Sequence, residues 1–310
     1  MRTEVVVNAN AALFARDPRL VQRVREAAGG QSRVSVTTSL EELSALAREL
    51  RSAEVERVVL CGGDGSFMAG VTALAAAGPG HLPELVFAPG GTVATVARNL
   101  GQRLGLLETV ARATDPRAHA WCKEHPCLRV VEAEGRSRLG FIFGTGLVAR
   151  FFRRYYAGQT RGYAAAARIV ARVFVSSFTG GDYARSVLDP LPSVVEVEGQ
   201  RLAPEAYSLI VSSVVRNLGL HMLVTHRAAE DPERPHLVLS PLGPGALGPQ
   251  APRVLAGLPL RGSGGFDGLV RHFSVTFPEP DGPYVLDGDL FGSRRVEVSA
   301  GPRLKLALFA

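Results

Sequence analysis

Cysteine is scarce in this chain: Cys61, Cys122 and Cys127 are the only three in 310 residues. An odd, sparse set excludes a disulfide framework and fits a reducing compartment. Long apolar runs are missing as well. No window approaches ~18 uninterrupted apolar residues, which excludes a membrane-spanning helix. The apolar run in MRTEVVVNANA is too short for a signal peptide. No internal repeat is visible. Two nucleotide signatures are also absent. No Gly-Lys-Ser/Thr follows the glycine turns, so there is no P-loop, and the first βα unit lacks Gly-x-Gly-x-x-Gly. The location expected is cytoplasmic, with any membrane met from the water side, at the inner face.

What is present is ordinary soluble-protein material, 46% hydrophobic and 21% charged, enough for a sizeable core. A length near 300 suits two domains. Lys+Arg 35 against Asp+Glu 29 gives +6, and the pI is about 9.6. A basic excess suits an anionic partner, whether nucleotide phosphate, lipid headgroup or nucleic acid; it equally fits an arginine-rich composition without functional meaning.

The first third alternates strand and helix. EVVVN (4–8), RVSV (33–36), RVVLC (57–61) and ELVFA (84–88) read as strands. Asp17-Pro18 reads as the start of a helix that ends at Gly29-Gly30. SLEE (39–42) reads as a capping box opening another helix, to about Arg51. Residues 67–77 form the helix after the first glycine turn, and a further helix runs to Leu100. Apolar strands separated by helices imply a parallel sheet with helices on both faces. After about Ala113 the rhythm changes. TDPRAHAWCKEHPC reads as a linker. Beyond it come hairpin-like pairs: LRVVEAE with SRLGFIF around Gly135-Arg136, and SVVEVE with the segment after Gly199-Gln200. YSLIVSSVV, HLVLS, RHFSVTF and RRVEVS add strands, and GYAAAARIVARVF (162–174) is helical. SPLGPGALGPQAP (240–252) reads as a loop or a short helix. The second half is mostly antiparallel β.

Two glycine turns lie at strand ends, GGDGS (62–66) and PGGT (89–92). Ligands of open α/β sheets bind at such ends. Glycine permits positive φ and lets backbone N–H groups approach an anion, and the helix N-terminus behind each turn favours negative charge. Asp64 stands out in this setting. A carboxylate beside phosphate calls for an intervening divalent cation, or for a proton taken from an attacking hydroxyl. The alternative is that Asp64 merely caps its helix.

Gly62-Gly63-Asp64-Gly65-Ser66, Pro89-Gly90-Gly91-Thr92 and the late Asp287-Gly288-Asp289, in that order and spacing, resemble the diacylglycerol kinase catalytic-domain family. Bacterial lipid kinases and sphingosine and ceramide kinases belong to it, and NAD kinases are distant relatives. The resemblance implies an NAD-kinase-like α/β domain, residues 1–126, possibly joined by the last strand at 302–310. It also implies a mostly antiparallel β-sandwich domain, residues 127–301, that takes the lipid. ATP would bind in the cleft between them. Asn8, Thr38, Gly62, Gly63, Gly65, Ser66, Gly91 and Thr92 would reach the nucleotide, with Asp64 near a catalytic Mg²⁺. Asp287 would accept the proton of the lipid hydroxyl, and Asp289 would stand where the family has Glu. Asp231 would be the nearest ligand for a structural Mg²⁺. The partners implied are a lipid with a free hydroxyl and a peripherally met membrane, not nucleic acid; a homodimer stays open.

The chain departs from the family at Ala94-Thr95, which replace Asn-Asp. It also departs at Asn8-Ala9-Asn10, which replace an Asn-Pro loop with Ser-Gly, and at Ser66, which replaces Thr. The activity expected is ATP-dependent phosphorylation of a diacylglycerol-, sphingosine- or ceramide-like lipid. The alternative is a homologue that binds nucleotide or lipid without transfer. An NAD kinase is the third reading, but no Asn-Glu pair follows the glycine turn.

Two further stretches carry chemistry-bearing residues. RFFRRYYAGQTRGY (150–163) is either a surface for anionic lipid or an amphipathic helix whose aromatics pack inward. His119, Cys122, His125 and Cys127 are zinc-ligand types without a Cys-x-x-Cys knuckle; the other reading is a linker with one buried thiol.

Overall fold

The computed structural model describes every residue except Gln31, Thr92, Val93, Gln159, Arg161 and Ala310. The chain divides into two compact units, Met1–His125 with Arg303–Ala310, and Pro126–Pro302.

The first unit is built on strands β1 (Thr3–Asn8), β2 (Arg33–Thr37), β3 (Arg57–Gly62), β4 (Glu84–Pro89) and β5 (Trp121–His125), together with the last strand of the chain, Leu304–Leu308. The order is β2-β1-β3-β4, then the last strand, then β5. All pairings are parallel except that of β5 with the last strand. All six residues of β3 are buried. A side chain such as Val58 or Leu60 contributes about 1.5–3 kcal/mol on full burial. Alternation assigns the two faces. Val5, Val7, Val59, Cys61, Val86 and Ala88 pack with apolar residues of α2 (Leu20–Ala28) and α6 (Leu106–Thr114). On the other face Leu60 meets Gly70 of α4 (Asp64–Ala76), where a Cβ would lie 2.8 Å from Leu60 Cδ2. Phe67 of α4 stacks on Phe87 of β4 at 4.5 Å. Helices α1 (Ala12–Arg16), α3 (Leu40–Ser52) and α5 (Thr95–Leu100) complete the unit.

Ser39 caps α3 as its spacing implies, its hydroxyl accepting from Glu42 N at 3.1 Å. Three expectations need correction. Asp17-Pro18 does not open α2; Asp17 Oδ1 accepts from Arg19 N, and the helix starts at Leu20 after the separate short α1. The helix after the first glycine turn begins at Asp64, not Phe67. The stretch read as a linker contains β5, an edge strand whose first four residues are exposed.

The second unit carries β6 (Leu128–Glu132), β7 (Ser137–Gly140), β8 (Ile142–Gly146), the short β9 (Leu191–Pro192), β10 (Val194–Val197), β11 (Gln200–Arg201), β12 (Ala206–Tyr207), β13 (Leu209–Ser213), β14 (His236–Ser240), β15 (Phe266–Leu269), β16 (His272–Thr276), β17 (Pro283–Leu286), β18 (Asp289–Gly292) and β19 (Arg295–Ala300); the last strand is therefore β20. Two antiparallel sheets result, β11-β10-β16-β19-β6-β7 and β15-β14-β13-β8-β17-β18, and β9 pairs with β12. The two large sheets meet through aromatics: Phe143 of β8 lies edge-on to Phe273 of β16 at 5.7 Å, and Tyr284 of β17 donates to Glu132 of β6. SRLGFIF is not one strand. The chain leaves the first of these sheets after Gly140 and enters the second at Ile142. Helices α7 (Leu147–Ala157), α8 (Tyr163–Phe178), α9 (Asp182–Leu188), α10 (Pro244–Leu247) and α11 (Ala251–Leu255) complete the unit.

Candidate active site

Polar side chains gather where β1, β2 and β3 end. Asn8 closes β1, Thr38 follows β2, and Ser66 lies in the first turn of α4. Asn8 Nδ2 donates to Ser66 Oγ at 2.7 Å, and Asn8 Oδ1 accepts from Asn10 N at 2.9 Å. Asn10 Nδ2 donates in turn to the Thr38 carbonyl at 2.7 Å. Asn8, Asn10, Thr38 and Ser66 line a cavity of about 190 Å³, together with the apolar Val6 and Leu60. The Thr38 amide and hydroxyl both donate to Glu42 Oε2, at 2.7 and 2.9 Å. The amide bond is the main cause holding the Glu42 carboxyl below its usual range. Sequence reasoning missed roles for Asn10 and Glu42. Asn10 was visible as a second amide in the first loop. Glu42 was read only as part of a capping box, yet its carboxylate turns back to Thr38.

The glycines of the two turns touch. Gly90 N donates to Gly62 O at 2.6 Å, and a Cβ on Gly91 would stand 2.7 Å from Gly63 Cα. A Cβ on Gly62 would meet Ser66 Cβ at 2.5 Å. Positive φ, one of the two reasons the sequence suggests for glycine here, does not apply: Gly62, Gly63, Gly65, Gly90 and Gly91 are all outside that region. Close backbone approach is what requires them. Gly65 lies inside α4. Thr92 lies outside the described residues.

Asp64 is the first residue of α4, but it caps a different helix. Its Oδ2 accepts from Val96 N at 3.1 Å, in the first turn of α5. Burial pushes its carboxyl above the usual aspartate range, while the amides of Val96, Ala97 and Thr95 pull it down. Among the described residues its Oδ1 is buried and has no hydrogen-bond partner. Ala94, just before α5, is held at φ 48°. That left-handed conformation costs a Cβ-bearing residue about 1 kcal/mol, and asparagine tolerates it better.

In the second unit, Asp287-Gly288 is the two-residue turn between β17 and β18, at φ 49° and 97°. Asp287 Oδ1 accepts from Ile142 N at 2.9 Å and from Phe141 N at 3.1 Å; Oδ2 lies 3.0 Å from the same Phe141 amide. The carboxylate thus satisfies the backbone where the chain crosses between sheets. Tyr156 donates its hydroxyl to the Gly288 carbonyl at 2.9 Å. Asp289 opens β18 and is exposed. Asp231 lies in a turn, where its Oδ1 accepts from Glu233 N at 2.9 Å.

Among the described residues one group has metal-ligand character, and it does not include Asp231: His226, His236 and Asp267, with ligand atoms within 4.8 Å of one another. Its hydrogen bonds favour a proton over a metal. His236 Nδ1 accepts from Arg227 N at 3.2 Å, which leaves the ring proton on Nε2, 2.7 Å from Asp267 Oδ1. That nitrogen has no lone pair to offer. Among the described residues the cysteine-histidine stretch forms no such group. Cys122 Sγ lies 2.6 Å from Glu84 Oε1, while Cys127 is buried, its thiol pushed up to about 12.

Residues 2–120 match the sequence model of the diacylglycerol kinase catalytic domain. This chain is similar to that family. Its fold is shared with solved structures from Bacillus anthracis str. Sterne. A candidate diacylglycerol kinase is matched at TM-score 0.69 and 15% identity, over 98% of this chain and 96% of that one. Another structure described in the same way is matched at TM-score 0.66 and 15% identity, over 98% and 95%. A third, described as a diacylglycerol kinase, is matched at 0.62 and 14% identity, over 98% and 96%. No curated protein matches. The solved structures share the fold, an α/β unit followed by antiparallel sheets.

The residues of the first unit fit a nucleotide with a divalent cation. Abutting glycines leave backbone free of Cβ atoms, and among the described residues Asp64 retains one buried oxygen without a donor. Mg²⁺ is commonly held by one or two carboxylates together with substrate phosphates.

Proposed function

We propose that this chain is an ATP-dependent lipid kinase, passing the γ-phosphate to the hydroxyl of a diacylglycerol-, sphingosine- or ceramide-like lipid. The observation that carries it is the half-used Asp64 carboxylate beside two abutting glycine turns and the cavity lined by Asn8, Thr38 and Ser66. Asn8, Asn10 and Ser66 offer hydrogen bonds to the nucleotide, and the amides around Gly62, Gly63 and Gly91 offer donors to its phosphates. Asp64 would hold the cation, which supplies charge neutralisation when bound. Asp287 would take the proton of the acceptor hydroxyl, and such a general base contributes roughly 10²–10⁴-fold. Asp289 and Asp231 are assigned supporting roles only, at the nucleotide and at a structural cation.

A second reading has its own support. Both Asp287 oxygens already lie against amides, and Ala94-Thr95 lack the acid and amide of the family pattern. These favour a protein that binds without transfer. Labelled ATP with Mg²⁺ and a mixed bacterial lipid extract in micelles separates the two. A labelled lipid made by the wild type, and not by Asp64→Asn or Asp287→Asn, supports the kinase. ATP binding without any labelled lipid supports the second reading.

A further inference from the structure

The aromatic rings of α7 mostly pack inward: Tyr155 is buried, and Phe151 and Phe152 are half-buried. The helix is also tied down on the side away from the β17–β18 turn. Tyr155 accepts through its hydroxyl from Gly162 N at 2.7 Å, which joins the end of α7 to the start of α8. Arg150 donates to the Asp189 carbonyl just after α9. Arg154 donates to Ser186 Oγ of α9, and its guanidinium lies over the Tyr183 ring at 4.5 Å.

Tyr156 is the exception among these rings. It is 37% exposed, with its ring centroid 6.0 Å from that of Phe152. Its hydroxyl donates to the Gly288 carbonyl at 2.9 Å. Phe152 lies against the same glycine, where a Cβ would stand 3.5 Å from its Cε1. Residues four apart share a helix face, so one side of α7 carries both rings to the turn.

The two halves of that turn are held differently. Asp287 N donates to Ile142 O at 2.9 Å, and the Asp287 carboxylate takes the amides of Phe141 and Ile142. These bonds fix the first half. The Gly288 carbonyl belongs to the second half, in the peptide that leads into Asp289, and Tyr156 holds it. Water would satisfy an exposed carbonyl nearly as well as a phenol does. What the tyrosine adds is therefore a fixed direction more than stability.

We propose that Tyr156 is a positioning residue for the phosphoryl transfer, fixing through the Gly288 carbonyl the turn that carries Asp287 and Asp289. It acts through the backbone, not on a reacting atom. The assignment rests on the kinase reading, with Asp287 as proton acceptor. Misplacing a reacting group by about 1 Å can cost roughly 10²-fold in rate, so a turn held less firmly is felt in turnover.

The test is Tyr156→Phe, which removes one oxygen and keeps the ring. The full chain is assayed with labelled ATP, Mg²⁺ and lipid extract in micelles, beside the wild type. Turnover at saturating ATP is expected to fall about tenfold, with KM for ATP changed by less than about twofold. ATP affinity, titrated by calorimetry without lipid, should not change. The melting temperature should hold, because water replaces the phenol. Hydrogen exchange of the Phe141 and Ile142 amides, which the Asp287 carboxylate covers, should speed up severalfold without ATP or lipid. A wild type that transfers phosphate beside an equally fast Tyr156→Phe would overturn the assignment and leave the kinase standing. A loss carried by KM for ATP, a melting temperature that falls in step with turnover, or unchanged amide exchange would overturn it as well. A wild type that makes no labelled lipid sinks the kinase reading and this assignment with it.

Discussion

Asp64 is poised between structure and chemistry. Its folded pKa is raised by burial, so the folded state holds the proton more tightly than the unfolded one, and stability falls as pH rises from the ordinary aspartate range through the folded value. Asp64→Asn keeps an acceptor for Val96 N and removes the buried charge. It should therefore raise the melting temperature at pH 7, by less at pH 4, while abolishing the proposed phosphoryl transfer; paired melts and activity assays check this. A gain in stability with a loss of function is expected where a carboxylate is kept buried for a cation. Asp287 should respond in the opposite sense. Asp287→Ala strands the Phe141 and Ile142 amides and should cost about 1–3 kcal/mol in urea unfolding. Asp287→Asn should cost less, since it retains an acceptor, and an activity loss exceeding its stability loss would mark a catalytic role.

At the scale of elements, two turns and one cap set the geometry around the cavity. Gly91→Ala drives a Cβ to 2.7 Å from Gly63 Cα, so one of the turns must move. Overpacking of this kind costs about 1–3 kcal/mol. Nucleotide affinity, followed by calorimetric titration with ATP, should fall further than stability does, because both turns would offer amides to phosphate. The strands and helices around these turns were legible in the sequence, since apolar runs, glycine stops and the Ser39 cap act through near neighbours. The helix capped by Asp64 was not legible. Its first turn lies 32 residues further along the chain, and nothing local links the two.

At the scale of the molecule, long-range pairing decides what local pattern leaves open. Arg57 of β3 forms a buried ion pair with Glu84 of β4, with Nη2 2.6 Å from Oε2, and donates to the Ala113 carbonyl of α6 at 3.1 Å. Burial alone would raise the Glu84 carboxyl; the Cys122 thiol and Arg57 together bring it below its usual range. Arg57→Ala leaves that buried carboxylate with only Lys305, 3.6 Å from Oε1, and the Cys122 thiol beside it, and should cost about 3 kcal/mol, measured by urea unfolding at pH 7.

The sequence by itself determined the alternation of strands and helices in the first unit, the antiparallel character of the second, and the order of the glycine and aspartate motifs that point to phosphate chemistry. Those signals are local: side-chain period, turn residues and caps. Only the tertiary structure decided that the presumed linker is β5. That segment is polar because it is an exposed edge, and its partner β20 lies at the far end of the chain. Only the fold could show that SRLGFIF breaks between sheets under the Asp287 carboxylate, that Asn10 joins the cavity while Glu42 turns back onto Thr38, and that Val175 and Phe178 of α8 are left exposed. A residue's chemistry is written in the chain, but its neighbours across a sheet or a turn are set by packing between segments far apart in sequence.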